Sequence, residues 1–103
     1  MFHADFAADV PAPQASFMAI SQVMPAAKAF GVPVSKAAWR TKPSWAVVAT
    51  ADRAINPDLE RFMTKRADSK TIEIRSSHVA YISHPAEVAK LIEQAATQSA
   101  KSK

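Results

Sequence analysis

The chain contains a single glycine, Gly31, and this count restricts its fold and chemistry more than any other feature. Phosphate-binding loops of the P-loop and dinucleotide types need several glycines, because their backbones approach the phosphates closely. The G-x-S-x-G turn that carries a nucleophilic serine also needs glycines, since a Cβ beside the strained residue would clash. The sequence therefore excludes glycine-rich phosphate loops and a nucleophile turn of this kind.

The composition is that of one globular domain or part of one, with 103 residues, 49% hydrophobic and 21% charged. The absence of cysteine excludes disulfides and thiolate metal sites. A chain without cysteine folds equally well inside or outside a cell, so the absence of cysteine does not indicate a compartment.

Charge and hydropathy argue against two classes of partner. The net charge of +4 is scattered, and no basic stripe with interleaved aromatics is present, so we expect no nucleic-acid binding. No apolar run approaches the roughly 18 residues that a membrane span needs, so we expect no membrane partner. The N-terminal stretch carries Asp5 and Asp9 without a preceding basic cluster, which is unlike a secretory signal.

Residues 1–41 differ in character from the rest, being rich in Ala, Met and Phe and interrupted by prolines. Phe17, Ile20 and Met24 recur at helical spacing between Pro13 and Pro25. This spacing predicts a short amphipathic helix. We interpret the segment as a helical, cap-like cover over an apolar surface.

From Lys42 the pattern becomes regular and begins with a strand. The continuous apolar run over 45–50 predicts a strand buried on both faces, as in a parallel sheet. Asn56 and Pro57 then have the residue types of an N-cap and a first helical position. The apolar face of the helix that follows comprises Leu59, Phe62, Met63 and Ala67.

A second strand and a closing helix complete the pattern. Residues 71–75 alternate apolar and polar, which predicts a strand with one solvated side or an edge strand. Pro85 opens a final helix that extends to Ala96, and residues 97–103 are expected to be a frayed tail. The predicted buried face of this helix comprises Val88, Leu91, Ile92 and Ala95.

The order strand, helix, strand, helix over residues 42–96 predicts an α/β core with two parallel strands and a right-handed crossover. Asp52 follows the first strand and His78 follows the second. The carboxyl ends of parallel strands lie at one edge of the sheet, where open α/β folds place their chemistry. We therefore expect Asp52 and His78 to lie close together.

An aspartate beside a histidine suits acid–base catalysis, because the carboxylate orients the imidazole and stabilises its protonated form. The alternative for Asp52 is that it caps a loop or pairs with Arg53. His78 has the alternative of a structural or merely exposed side chain. Ser76 and Ser77 adjoin His78, but neither lies on a nucleophile turn, so serine catalysis by this chain alone is disfavoured.

We expect no metal and no cofactor. His84 precedes Pro85 and has the position of an N-terminal cap for the last helix. A metal site built from His78 and His84 would need a third ligand, and no residue has a suitable spacing for one.

Three stretches together resemble the alpha/beta-hydrolase family, in particular small esterases related to plant methylesterases and hydroxynitrile lyases. Residues 42–57 resemble the penultimate strand and the loop that bears the triad acid. Ile72 to His78 is similar to the final strand and the triad histidine, and residues 85–96 look like the closing helix. Residues 1–41 resemble, more weakly, the end of the family's cap region.

The resemblance implies the C-terminal part of an alpha/beta-hydrolase fold, with Asp52 as the triad acid and His78 as the general base. The family order is Ser, then Asp or Glu, then His, so the nucleophile and the oxyanion loop would lie upstream of Met1. The implied parent activity is hydrolysis of a small carboxylic ester. The alternative is a catalytically inactive, self-associating module.

The predicted sheet raises a physical difficulty at its outer edge. In the complete fold that the resemblance implies, the strand containing Trp45 has a neighbour on its other side. An unpaired apolar strand edge is a site of association. We therefore expect a homo-oligomer, or N-terminal helices that refold over this edge.

Overall fold

The computed structural model describes residues 1–101 of the chain. These residues form five α-helices and two β-strands, and short 3₁₀ turns lie at Ala27–Gly31 and Ala38–Arg40. In chain order the elements are α1 (Phe2–Phe6), α2 (Ala12–Ile20), β1 (Trp45–Ala49), α3 (Pro57–Arg66), β2 (Lys70–Ile74), α4 (Ala80–Ser83) and α5 (Pro85–Lys101). Among these residues, no helix has the length and apolar character required to cross a bilayer.

The two strands form a parallel sheet in which Trp45 is opposite Lys70 and Ala49 is opposite Ile74. Helix α3 makes the crossover between them, as parallel strands require. This arrangement confirms the predicted α/β class with two parallel strands. Burial rises along β1 towards Val48 and Ala49, so the core lies at the carboxyl end of the sheet.

Local signals define both ends of α3. The Asn56 side chain accepts a hydrogen bond from the Asp58 N–H at 2.8 Å, which confirms the predicted N-cap. At the other end, Asp68 adopts a left-handed φ of 51°, and Ser69 N–H returns to the Thr64 carbonyl at 3.0 Å. This is the geometry of a Schellman cap, and it turns the chain into β2.

The N-terminal helices pack against the segment after His78. Ala7, Val10, Ala15 and Val79 are buried together, with Ile82 packed against them. The face predicted for α2 is wrong, because Phe17 is 67% exposed, Ile20 and Met24 are also exposed, and Met24 lies beyond the end of the helix. The small side chain of Ala15 allows close backbone approach, so a different face of α2 is buried.

Helix α5 is longer than the sequence indicates. It continues through Lys101, so residues 97–101 are helical rather than frayed, and residues 102–103 lie outside the described part of the chain. Leu91 is buried, but Ile92 is 63% exposed and does not belong to the buried face. An open groove of about 430 Å³ runs between α5 and β1, lined by apolar side chains including Val47, Leu91 and Ile92.

The outer edge of β1 carries backbone groups that do not face β2. Thr50 donates its N–H to the Ile74 carbonyl, and successive amides of a strand point to opposite sides. The Ala49 N–H therefore points to the outer edge, where it is bound by the Glu60 carboxylate at 2.8 Å. The N-terminal helices pack around Val79, where Ala7, Val10 and Ala15 are buried, instead of lying along this edge.

Candidate active site

The loops that follow β1 and β2 are joined by backbone hydrogen bonds. Thr50 N–H binds the Ile74 carbonyl at 2.9 Å, and Ala51 N–H binds the Ser76 carbonyl at 3.1 Å. These bonds extend the parallel pairing beyond the strand ends and hold the two loops side by side. Asp52 directly follows Ala51, and His78 is two residues after Ser76, so the paired loops bring the two side chains to the same edge of the sheet.

The His78 ring nitrogen Nδ1 lies 2.6 Å from Asp52 Oδ2. The Asp52 side chain is fully buried, whereas the imidazole is 29% exposed. The expected proximity of these two residues is therefore observed. Since Nδ1 faces a carboxylate, it carries the proton, and this leaves Nε2 as the basic nitrogen of the neutral ring.

The second Asp52 oxygen, Oδ1, accepts hydrogen bonds from the Ala54 N–H at 2.7 Å and the Ile55 N–H at 3.1 Å. Burial opposes ionisation of this carboxyl. The hydrogen bonds from His78 and the loop amides outweigh that effect and lower the pKa of Asp52. Asp52 thus caps its loop through Oδ1 and binds the histidine through Oδ2. The catalytic interpretation and the loop-cap alternative are therefore both compatible with its contacts.

Phe6 of α1 packs against the other side of the imidazole, with ring centroids 4.6 Å apart. Its ring in turn contacts Phe2, at 5.0 Å between centroids. This packing restricts rotation of the imidazole. Within residues 1–101, Nε2 of His78 has no hydrogen-bond partner, so this nitrogen is available to a further group.

The serines beside the histidine have other partners. The Ser76 hydroxyl donates to the Ser77 carbonyl at 3.0 Å. The Ser77 hydroxyl donates to Asp9 Oδ1 at 2.5 Å, and its N–H binds Asp9 Oδ2 at 3.0 Å. Both serines are buried. Neither hydroxyl binds His78, as expected for serines that do not lie on a nucleophile turn.

Asp9 supports the segment that carries His78, and the sequence analysis did not identify this role. It ties the segment between α1 and α2 to the residue before His78, and it lies 3.8 Å from the His84 ring. Burial opposes its ionisation, but the hydrogen bonds from Ser77 lower the pKa of Asp9. Its pairing partner is 68 positions away, and no local pattern indicates such a contact.

Glu60 is a second missed residue. From the first turn of α3 it reaches back to the Ala49 N–H and lies beside Asp52 and His78. The sequence analysis assigned it no role in this site. A signal was present in the spacing, because a glutamate in the fourth helical position lies above the loop that precedes the helix.

Asp52, Glu60 and His78 each offer a ligand atom, and these atoms all lie within 4.8 Å of one another. Two carboxylates and an imidazole are a donor set for a divalent cation. A metal bound through His78 Nδ1 and Asp52 Oδ2 would have to replace the hydrogen bond between these two atoms. The geometry therefore favours a proton-transfer pair over a metal centre.

The remaining candidates lie outside this pair. Arg53 binds Asp5 of α1 at 3.3 Å rather than Asp52. His84 bonds through Nδ1 to the Ser83 hydroxyl at 2.9 Å, away from the three-residue cluster.

In a comparison with protein-family models, residues 1–91 match the alpha/beta hydrolase family. This match covers the N-terminal helices, both strands and the loops that carry Asp52 and His78. It confirms the resemblance at the level of the family. Comparisons with curated proteins and with solved structures give no match.

Proposed function

We propose a role in ester hydrolysis for this chain, which belongs to the alpha/beta-hydrolase family. Asp52 and His78 are the acid and the general base of a Ser-His-Asp triad that hydrolyses a small carboxylic ester. The observation that carries this proposal is the 2.6 Å contact between His78 Nδ1 and the buried Asp52 carboxylate. The triad serine and the oxyanion donors come from polypeptide outside this sequence.

The reaction uses Nε2 of His78 as the base. This nitrogen takes the proton of the serine hydroxyl while the serine oxygen bonds to the ester carbonyl carbon. The imidazolium then returns the proton to the departing alcohol, which leaves an acyl-serine. Water hydrolyses the acyl-serine by the same two proton transfers and releases the carboxylic acid.

Asp52 contributes to both steps without accepting the proton. Its negative charge stabilises the imidazolium, and its hydrogen bond keeps the proton of the neutral ring on Nδ1. The backbone bonds from Ala54 and Ile55 hold the carboxylate in one orientation. Phe6 limits rotation of the ring that receives the proton.

Complementation tests this proposal. The chain is mixed with a polypeptide that carries the remaining strands of an alpha/beta hydrolase, including its nucleophile serine and oxyanion loop. Hydrolysis of p-nitrophenyl acetate is followed for the chain alone, for the complex and for the complex with His78→Gln. We expect turnover in the complex that His78→Gln abolishes. A complex that forms but hydrolyses the ester equally well with His78→Gln would contradict the proposed role.

A second candidate is the self-associating module, in which the Asp52–His78 pair plays no part. The exposed groove between β1 and α5 supports it, because apolar side chains including Ile92 line an open surface. Light scattering after gel filtration at several concentrations tests this candidate. A concentration-independent monomer would contradict self-association and would leave the catalytic proposal intact.

A further inference from the structure

Glu60 links the end of β1 to the start of α3. Its Oε2 accepts the Ala49 N–H at 2.8 Å, on the edge of β1 that faces away from β2. The loop that carries Asp52 lies between these two positions, before α3 begins at Pro57. The Glu60 carboxylate therefore joins the two ends of this loop. It accepts the Ala49 N–H in the place where the carbonyl of a neighbouring strand would accept it in a wider sheet.

The same carboxyl group lies next to the catalytic pair. Glu60 is half-buried, and one of its oxygens is within 4.8 Å of both an Asp52 oxygen and a His78 ring nitrogen. Asp52 accepts three hydrogen bonds, two from the loop amides and one from the imidazole. A carboxylate has about four acceptor positions, so one remains open for a donor.

The electrostatic effect of Glu60 on Asp52 and His78 depends on whether its carboxyl group is protonated. A protonated Glu60 can fill the open position on Asp52 without adding charge. An ionised Glu60 places a second negative charge beside the imidazole, which favours the imidazolium and repels the Asp52 carboxylate. The two forms thus give the pair different electrostatic surroundings with the same backbone.

We propose that Glu60 is a positioning residue of this site, which clamps the Asp52 loop to the end of β1 and sets the charge around His78 by its own protonation. Its importance for catalysis rests on the proposed function of the pair. The clamp and the electrostatic coupling exist whether or not the chain takes part in hydrolysis.

The electrostatic surroundings of the cluster support this role. Burial raises the pKa of the Glu60 carboxyl, and its interaction with Asp52 raises it further, against the opposing effect of the Ala49 N–H. Asp52, with its lowered pKa, stays ionised while Glu60 takes up the proton. The titratable groups that act on Glu60 are Asp52 from one loop and His78 from the other.

Asp58 and Arg61, two other charged residues of α3, are paired away from this cluster. Asp58 binds Arg61 at 2.8 Å, and Arg61 also binds Glu73 of β2 at 2.6 Å. Both contacts are exposed and are separate from the bonds that hold the Asp52 loop. The protonation of Glu60 is therefore governed by the cluster itself.

The test compares Glu60→Gln with Glu93→Gln, an exposed control on α5. Glutamine keeps an acceptor for the Ala49 N–H and removes the titrating charge. The readout is the low-field proton resonance of His78 Nδ1–H, followed by NMR as the pH is lowered from neutrality. We expect its chemical shift to show an inflection at the Glu60 titration in the wild type and in Glu93→Gln, and to lose it in Glu60→Gln. An unchanged pH profile in Glu60→Gln would overturn the proposal.

A second measurement applies if Glu60→Gln does not fold. The carboxyl carbon of Glu60 is titrated by ¹³C NMR in the folded wild-type chain and in the same chain unfolded in urea. We expect Glu60 to titrate at higher pH in the folded chain, and equal or lower titration there refutes the coupling. Neither measurement uses ester turnover, so failure of the hydrolysis experiment and failure of this inference are separate results.

Discussion

His78 Nδ1 and Asp52 Oδ2 lie 2.6 Å apart, although the two residues are separated by 26 positions and stand on different loops. The parallel register of β1 and β2 and the bond from Ala51 N–H to the Ser76 carbonyl produce this contact. This contact couples Asp52 to His78, and the contribution of each residue can be measured by substituting one of them at a time.

Replacing Asp52 with Asn is expected to remove the charge that orients the imidazole. The low-field Nδ1–H resonance of His78 should disappear from the proton spectrum, because an amide accepts a weaker hydrogen bond than a carboxylate. In the complemented enzyme, kcat should fall by about 10⁴-fold, as for loss of the acid in other triads. Asp58→Asn, on the exposed side of α3, is the control and should retain both properties. An unaltered resonance in Asp52→Asn would contradict the assignment.

Asp9→Ala should destabilise the chain through loss of two hydrogen bonds to Ser77. Hydrogen bonds to a charged group, with a buried hydroxyl left unpaired, contribute about 1–3 kcal/mol. Urea unfolding measures this change. Asp68→Asn serves as the control, because Asp68 is exposed and asparagine tolerates its left-handed backbone. Equal unfolding midpoints for Asp9→Ala and the wild type would show that the hydrogen bonds between Asp9 and Ser77 do not contribute to the free energy of unfolding.

Asn56→Ala should lower the free energy of unfolding by about 1 kcal/mol, since the helix loses its side-chain N-cap. Asn56→Ser retains a capping oxygen and should be close to the wild type. Thermal unfolding followed by circular dichroism distinguishes the two variants. A serine variant as unstable as the alanine variant would indicate that Asn56 acts through something other than the cap.

Stability should fall as the pH drops below about 4, the usual range for aspartate. Asp9 and Asp52 both have a lowered pKa in the folded chain, so each contributes stability above its unfolded-state pKa and loses it as the pH falls through its folded-state pKa. Urea midpoints at pH 7 and pH 3 measure the loss. It should be smaller in Asp9→Asn, and an equal loss in that variant would exclude Asp9 as a contributor.

Ile92→Glu tests the apolar groove as a surface for self-association. Ile92 is 63% exposed, so the substitution should change the free energy of unfolding of the isolated chain little. Placing a charge in the groove should shift any oligomer towards the monomer, as measured by light scattering at a series of concentrations. Gln94→Glu adds the same charge to another exposed position of α5 and should leave the oligomer intact. Identical size distributions for both variants would place the interface elsewhere.

The amino-acid sequence alone determined the features that depend on local chemistry. Asn56 and Pro57 specify where α3 begins, since capping and a fixed φ act within one turn. The apolar run of β1 and the alternation of β2 specify strands, and their chain order implies parallel pairing. Asp52 and His78 could be placed together because residues that follow parallel strands emerge at the same edge of the sheet.

Only the tertiary structure decided which distant side chains meet. It buries Ala15 of α2 in place of Phe17, and it brings Asp9 to Ser77 and Glu60 to the Ala49 N–H. Periodicity describes a helix relative to its own axis and does not encode how that helix is rotated against its neighbours. The contacts of Asp9 and Glu60 depend on that rotation and on loop geometry, so they become visible only once the packed chain is known.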